Sequence, residues 1–282
     1  MVRRFFPDGL PLRSIWGARV RVDVADYIGH SICVSGGYEP ISICLALELM
    51  RTGGTFVDVG SNFGLYACSV GRVSGARVVA IDPSPVANAK LQENIRLNSL
   101  DSVTMVGAAI QSARGLVHLE APVAGNLGTA RTVVGLLGRL RGGCVVPALP
   151  LDEILFSLGV EAIRLLKVDV EGAELEVLQG LDLVARYRPD DIIMESVTGS
   201  SGFEACRRLK ERPDTRDIPV IFMSALSDTV DKVKGLRLGA VDYVTKPFHR
   251  AELLSRIRTH LALKSAREQM RKAAEDKDEL LG

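Results

Sequence analysis

The chain has 282 residues, 47% of them hydrophobic and 24% charged, enough to bury a sizeable core and to build one large or two ordinary domains. Its 35 Lys and Arg nearly balance its 34 Asp and Glu, so no overall field draws it to nucleic acid or to an anionic membrane. The cysteines (Cys33, Cys44, Cys68, Cys144 and Cys206) and the four histidines are scattered without paired metal spacing, which implies free thiols in a reducing, cytoplasmic setting and no metal centre. No apolar run reaches the length of a bilayer span.

From Arg19 to Val24 charged and apolar residues alternate, the period of a half-buried strand. Tyr38-Glu39-Pro40 then opens a helix over Ile41 to Met50 that stops at Gly53-Gly54. The strand from Thr55 to Val59 runs into Asp58-Val59-Gly60-Ser61-Asn62-Phe63-Gly64, a tight turn before a helix beginning at Leu65. Without Cβ atoms, Gly60 and Gly64 let the backbone approach a ligand, and the helix start offers unpaired N–H groups. A carboxylate at Asp58 repels phosphate and attracts an ammonium or hydroxyl groups, and S-adenosylmethionine carries both. The competing reading is an ordinary βα turn.

The strand Arg77 to Ile81 ends on Asp82-Pro83. An acid there is placed to accept both hydroxyl hydrogens of a ribose, or else to cap the helix Pro85 to Leu97, a role Ser84 can also fill. A third strand covers Val103 to Val106. After it, Ala108-Ala109-Ile110 either leave room for a flat adenine or fill tight core space. Between Gly115 and Pro147 the pattern weakens, apart from a strand at Leu116 to Leu119. Arg131, Arg139 and Arg141 there belong to a substrate-contacting loop or to solvated surface. Leu151 to Leu158 is helical again. The strand from Ile163 then ends in Lys167, Asp169 and Glu171 at alternate positions. In a parallel sheet the ligand crevice lies off the carboxyl ends of the strands, so these charges face the same side as Asp58 and Asp82. The βα alternation continues through strand Asp191 to Val197, helix Gly202 to Leu209, strand Pro219 to Met223, helix Val230 to Leu238, strand Val241 to Val244 and helix Ala251 to Leu263. The tail from Lys264 to Leu281 reads as an exposed or self-associating helix, or as a frayed end.

Tyr38-Glu39-Pro40, Phe56 to Gly64, Asp82-Pro83-Ser84-Pro85 with Asn94 and Asn98, and Leu166 to Gly180 resemble the FkbM family of S-adenosylmethionine-dependent methyltransferases, over about Asp26 to Glu195. The resemblance implies a Rossmann-like class I methyltransferase sheet and methyl transfer to a hydroxyl oxygen of a small molecule or glycan. It places Asp58, Gly60, Asn62 and Gly64 at the methionine end of the cofactor, Asp82 at the ribose and Ala109 at the adenine. Tyr38 and Glu39 would line the pocket entrance, and Asp169 or Glu171 would act as general base.

Gly202 to Lys210, Ile218 to Ala225, Lys234 to Phe248 and Leu261 to Leu263 resemble the second half of a bacterial response-regulator receiver domain. In that family the residue at Ser224 contacts a phosphoryl group, that at Lys246 pairs with it, and that at Tyr243 switches on activation. The family's first half is absent, and Glu195 stands where the phosphoacceptor aspartate belongs, so these positions read as vestigial. The expected molecule is a chimera, natural or engineered. It comprises a lead-in (1–50), a cofactor-binding core (51–197), a receiver-like half (198–264) and a helical tail (265–282). Methyltransferase strands in the order 3-2-1-4-5 would be continued by two receiver strands into one mostly parallel α/β sheet with helices on both faces. The alternatives to an enzyme are a pseudo-receiver that acts by binding a partner, and a folded scaffold without activity.

Overall fold

The computed structural model describes residues 9–120, 132–133, 143–170, 172–181, 186–195, 200–224 and 229–245, and four isolated positions beyond them. In chain order the strands are β1 (Leu10–Arg13), β2 (Arg19–Val22), β3 (Gly54–Val59), β4 (Ala76–Ile81), β5 (Val103–Val106), β6 (Ala109–Ile110), β7 (Gly115–Leu119), β8 (Thr132–Val133), β9 (Cys144–Leu149), β10 (Leu165–Val168), β11 (Asp191–Glu195), β12 (Val220–Ser224) and β13 (Asp242–Thr245). The helices are α1 (Tyr27–Ser35), α2 (Pro40–Leu49), α3 (Leu65–Val70), α4 (Pro85–Asn98), α5 (Leu151–Ser157), α6 (Glu174–Gln179), α7 (Ser200–Glu211) and α8 (Thr229–Arg237).

Seven strands form one sheet in the order β13-β12-β11-β10-β3-β4-β5, and every neighbouring pair in it is parallel. This is the expected continuation: the order reverses between β3 and β10, and β12 and β13 extend the sheet beyond β11. The strands are buried on both faces, as crossover connections require. Val57, Val59, Leu166, Val168, Ile192, Met194, Val220 and Phe222 pack on one side with α5, α6 and α7. Phe56, Val78, Leu165, Ile193, Ile221 and Met223 pack on the other with α1 to α4. The alternation does not slip where the receiver-like part begins, because Ile192, Ile193 and Met194 stand beside Val220, Ile221 and Phe222 in register. Arg188 closes the join from outside, its Nη2 lying 2.6 Å from Asp217 Oδ2. Residues 196–199 and most of 246–282, with the expected helix Ala251 to Leu263 and the tail, lie outside the described residues.

Several elements depart from the sequence expectations. α1 was not anticipated: it is set by Asp26, whose carboxylate accepts from the N–H groups of Ile28 and Gly29, and it ends on Gly36 in the left-handed region. The weakly patterned stretch after β5 contains a second sheet in the order β6-β9-β7-β8, in which β7 and β9 are antiparallel. Among the described residues no single helix is long and apolar enough to cross a membrane.

One continuous sheet packed on both faces predicts one unfolding transition. Phe222 is fully buried, its ring 5.2 Å from that of Phe203 and 6.0 Å from that of Tyr243. Phe222→Ala should lower the unfolding free energy by about 3–5 kcal/mol. The fluorescence of Trp16, at the opposite end of the chain, should report the same lowered urea midpoint as far-ultraviolet circular dichroism. Two separated midpoints would contradict a single sheet.

Candidate active site

Asp58 and Lys167 are direct neighbours in the β3–β10 register. Because side chains alternate along a strand, both point to the α1–α4 side while Val59 and Val168 point to the other. Both are buried, at 0% and 2% exposure. Lys167 Nζ lies 3.0 Å from Asp169 Oδ2, 3.5 Å from Asp58 Oδ1 and 4.8 Å from the centre of the Tyr66 ring. Tyr66 in turn donates its hydroxyl hydrogen to Glu39 Oε2 at 2.7 Å. Burial alone would push the lysine down, but the carboxylates of Asp169, Asp58 and Glu39 hold it well above its ordinary value, so it stays charged. Asp58 is pushed up by burial, against the pull of Lys167. The interior site therefore joins the Tyr38-Glu39-Pro40 stretch, the first turn and the Lys167 run.

The turn itself corrects the sequence reading. Gly60 and Ser61 donate their N–H groups to Ile81 O, Asn62 to Asp82 Oδ2, Phe63 to Asn62 Oδ1 and Gly64 to Ser61 O. None of these five is left for a ligand. The glycines are required, but by the protein: a Cβ on Gly60 would stand 1.7 Å from Asp169 O, and one on Gly64 2.1 Å from Leu91 Cδ1. Both also have positive φ, 81° and 85°, and Asn62 sits at 49°.

Asp82, at the end of β4, is 8% exposed. Its Oδ2 accepts from Asn62 N and its Oδ1 from Ser84 N, both at 2.8 Å. The helix cap is Ser84, whose Oγ accepts from Ala87 N, so Asp82 is not needed for capping. Burial raises its carboxyl to about 6, against the lowering effect of the two backbone donors.

Ala109 is a second correction. It pairs with Ala148 on β9 and packs against Val117, Leu119 and Val146 in the core of the small sheet, so it fills core space. Glu39 is 5% exposed, turned inward to Tyr66. Tyr38 is half-buried, its ring edge-on to that of Tyr27 at 6.2 Å. Glu195 ends β11, half-buried, close enough to raise Tyr38 together with Glu39 and Asp169, although burial of the phenol is the larger cause. By strand alternation Glu195 stands on the same side of the sheet as Ile193, Asp58 and Lys167. Tyr243 is buried in the aromatic group with Phe222. Ser224 ends β12 beside Thr245, with its side chain outside the described residues, as are Glu171, Lys246, Arg131, Arg139 and Arg141.

Three positions escaped the sequence reading. Tyr66 looked like an apolar helix residue. Ser61 Oγ and Asn88 Oδ1 are buried polar atoms with no hydrogen-bond partner among the described residues, as are both carboxylate oxygens of Asp58. All four atoms belong to residues at or beside the carboxyl ends of β3 and β4, where donors and acceptors are expected to meet a ligand.

Sheet order and crevice define a doubly wound α/β protein with its polar site at the point where the strand order reverses. A family profile described as the methyltransferase FkbM domain matches residues 58–223, and the chain belongs to that family. The match runs through the join and includes most of β12. Part of the chain is also similar to response regulators. It is 38% identical over 99 residues to the phosphate regulon transcriptional regulatory protein PhoB of Rhizobium meliloti, covering 33% of this chain and 44% of that protein. It is 35% identical over 127 residues to the response regulator PleD of Caulobacter vibrioides, covering 42% and 28%. The chain therefore spans less than half the length of these relatives. A solved receiver domain of a histidine kinase from Syntrophus aciditrophicus is 35% identical, with 40% of this chain and 79% of that one covered, at a TM-score of 0.27.

Removing the lysine cation tests the network. Lys167→Met leaves Asp58 and Asp169 without their counter-ion and should cost about 3–5 kcal/mol in urea unfolding at neutral pH. Adding Asp58→Asn to that variant should recover part of the loss, since one uncompensated buried charge is then removed. A Lys167→Met protein as stable as the parent would show that the cluster carries no strongly coupled charges.

Proposed function

We propose that this protein is an S-adenosylmethionine-dependent methyltransferase acting on a hydroxyl oxygen of a small molecule or glycan. The observation that carries the reading is Asp82, a buried carboxylate at a strand end, pinned by one backbone N–H on each oxygen. A carboxylate oxygen has a second lone pair, so the pinned group is set to accept two neighbouring hydroxyl hydrogens of a ribose. Bound S-adenosylmethionine supplies a methyl group already activated by its positive sulfur, and the protein's task is chiefly position and exclusion of water.

Asp58, paired with Lys167 at 3.5 Å through Oδ1 alone, would attract the ammonium of the cofactor from beneath the turn. Gly60, Asn62 and Gly64 would serve by shaping the turn and by holding Asp82. Asp169, whose side chain is 23% exposed and ion-paired to Lys167, would orient the acceptor hydroxyl and take its proton. Glu171 shares that proposed role by its place in the sequence. Tyr38 would form one wall of the acceptor side, with Glu39 supporting it from the interior.

A second reading is favoured by the similarity to response regulators: the receiver-like end binds a protein partner or a second copy through its last strand and helix, without phosphotransfer. Glu195 in place of an aspartate supports the absence of that chemistry.

Calorimetric titration with S-adenosylhomocysteine tests the first reading. The wild type should bind it, and Asp82→Ala should weaken binding about tenfold or more, the loss of charge-assisted hydrogen bonds. The ionised carboxylate is the form that accepts both hydroxyls. Affinity should therefore be level above about pH 7 and fall as pH drops below about 6, by up to about tenfold per pH unit. No binding of either S-adenosylhomocysteine or S-adenosylmethionine would overturn the reading.

A further inference from the structure

Asn88 lies one turn into α4, its N–H donated to Ser84 O at 2.9 Å. The residue is 8% exposed. Its Nδ2 donates to Asp82 O at 2.8 Å, and that acceptor fixes which end of the amide is nitrogen. The other end, Oδ1, is buried with no donor among the described residues. A carbonyl oxygen left so is destabilising unless a donor reaches it. Its buried neighbours on the helix are Ala87, Leu91 and Asn94, and the bond from Nδ2 to Asp82 O accounts for one end of the amide but not for the other. Its place is between the ends of β4 and β5: Nδ2 is 3.3 Å from where a Cβ on the exposed Gly107 would stand. The amide thus sits beside Asp82 on the side away from β3, within reach of a base whose ribose is held by that carboxylate.

We propose that Asn88 reads the base of the cofactor, its Oδ1 accepting a hydrogen bond from the exocyclic amino group of adenine. The inference rests on the crevice being an S-adenosylmethionine site. With Nδ2 committed to Asp82, the amide presents a lone acceptor. Adenine offers an N6 hydrogen on that edge, whereas hypoxanthine offers an oxygen, and two acceptors would then face each other without a proton between them. Asn88 so takes the role expected of Ala109, which belongs to the core of the small sheet.

The test compares S-adenosylhomocysteine with S-inosylhomocysteine, whose base carries an oxygen at C6 and a proton on N1, by calorimetry on the full chain. The wild type should prefer the adenine ligand by about tenfold or more. Asn88→Ala, checked for folding by circular dichroism, should lose affinity for S-adenosylhomocysteine and leave S-inosylhomocysteine little changed, so that the preference falls to within about threefold. Asn88→Leu, nearly the same shape without the acceptor, should lose the preference likewise; it decides the matter if the alanine variant does not fold. Equal binding of both ligands by the wild type, or an unchanged preference in Asn88→Ala or Asn88→Leu, would overturn the assignment. If the wild type binds neither ligand, the cofactor reading fails, and this inference falls with it. Binding of S-adenosylhomocysteine without discrimination sinks only the role of Asn88.

Discussion

A charged lysine in the interior is the constraint around which the crevice is arranged. Taking an ammonium out of water is costly, and the cost is offset only if counter-charges and a polarizable surface are held in place around it. Lys167 obtains these from four separate parts of the chain: Asp58 at the end of β3, Asp169 just past β10, Tyr66 on α3 and, through Tyr66, Glu39 at the start of α2. Each of those parts must arrive in register for the cation to be satisfied. The same requirement holds Asp169 against Gly60, where the carbonyl of one occupies the space a Cβ of the other would need. The geometry of the floor is therefore set by electrostatics as much as by apolar packing.

The join between the two resemblances obeys a simpler rule. A parallel strand in mid-sheet needs apolar side chains on both faces and a helix to return the chain. β11 meets that requirement toward β10 and toward β12 alike, with Ile192 and Met194 on one face and Ile193 on the other. Neither neighbour has to be specific to one family. Glu195 marks the limit of this tolerance: its place belongs to both patterns, and its electrostatic neighbour Tyr38 belongs to the methyltransferase side.

Much of the architecture was legible in the sequence because the informative signals are local. Short β-branched runs ending on Asp58, Asp82 and Asp169 announce strands that share one functional edge, and the unbroken βα alternation leaves few possible sheet orders. What was not legible depends on distant partners. Which atom fills the space beside Gly60 or Gly64 is decided by Asp169 and Leu91, and no local pattern states that the N–H groups of the turn are already used. Ala109 looked like an adenine wall because smallness alone does not tell a ligand from a tightly packed strand such as β9. α1 was hidden by its composition, with Gly29, His30 and three β-branched residues, and it depends on the cap from Asp26. The unused amide oxygen of Asn88 appears only once Asp82 is seen to occupy the nitrogen.

The position of the strand reversal within the sheet has a dynamic consequence. With β12 and β13 added, four strands lie on the β10 side of the crevice and three on the β3 side, so the reversal is close to the middle. Sheets open from their edges, and the strands farthest from an edge exchange their amide hydrogens only through near-global unfolding. β10, which carries Lys167, is that strand here, with β3 and β11 next to it on either side. The floor that carries Asp58 and Lys167 is the slowest part of the molecule to move, and accommodation of different acceptors must come from the segments above it. Carrying β12 and β13 beyond β11 thus puts Lys167 on the central strand of the sheet without touching any residue of the site.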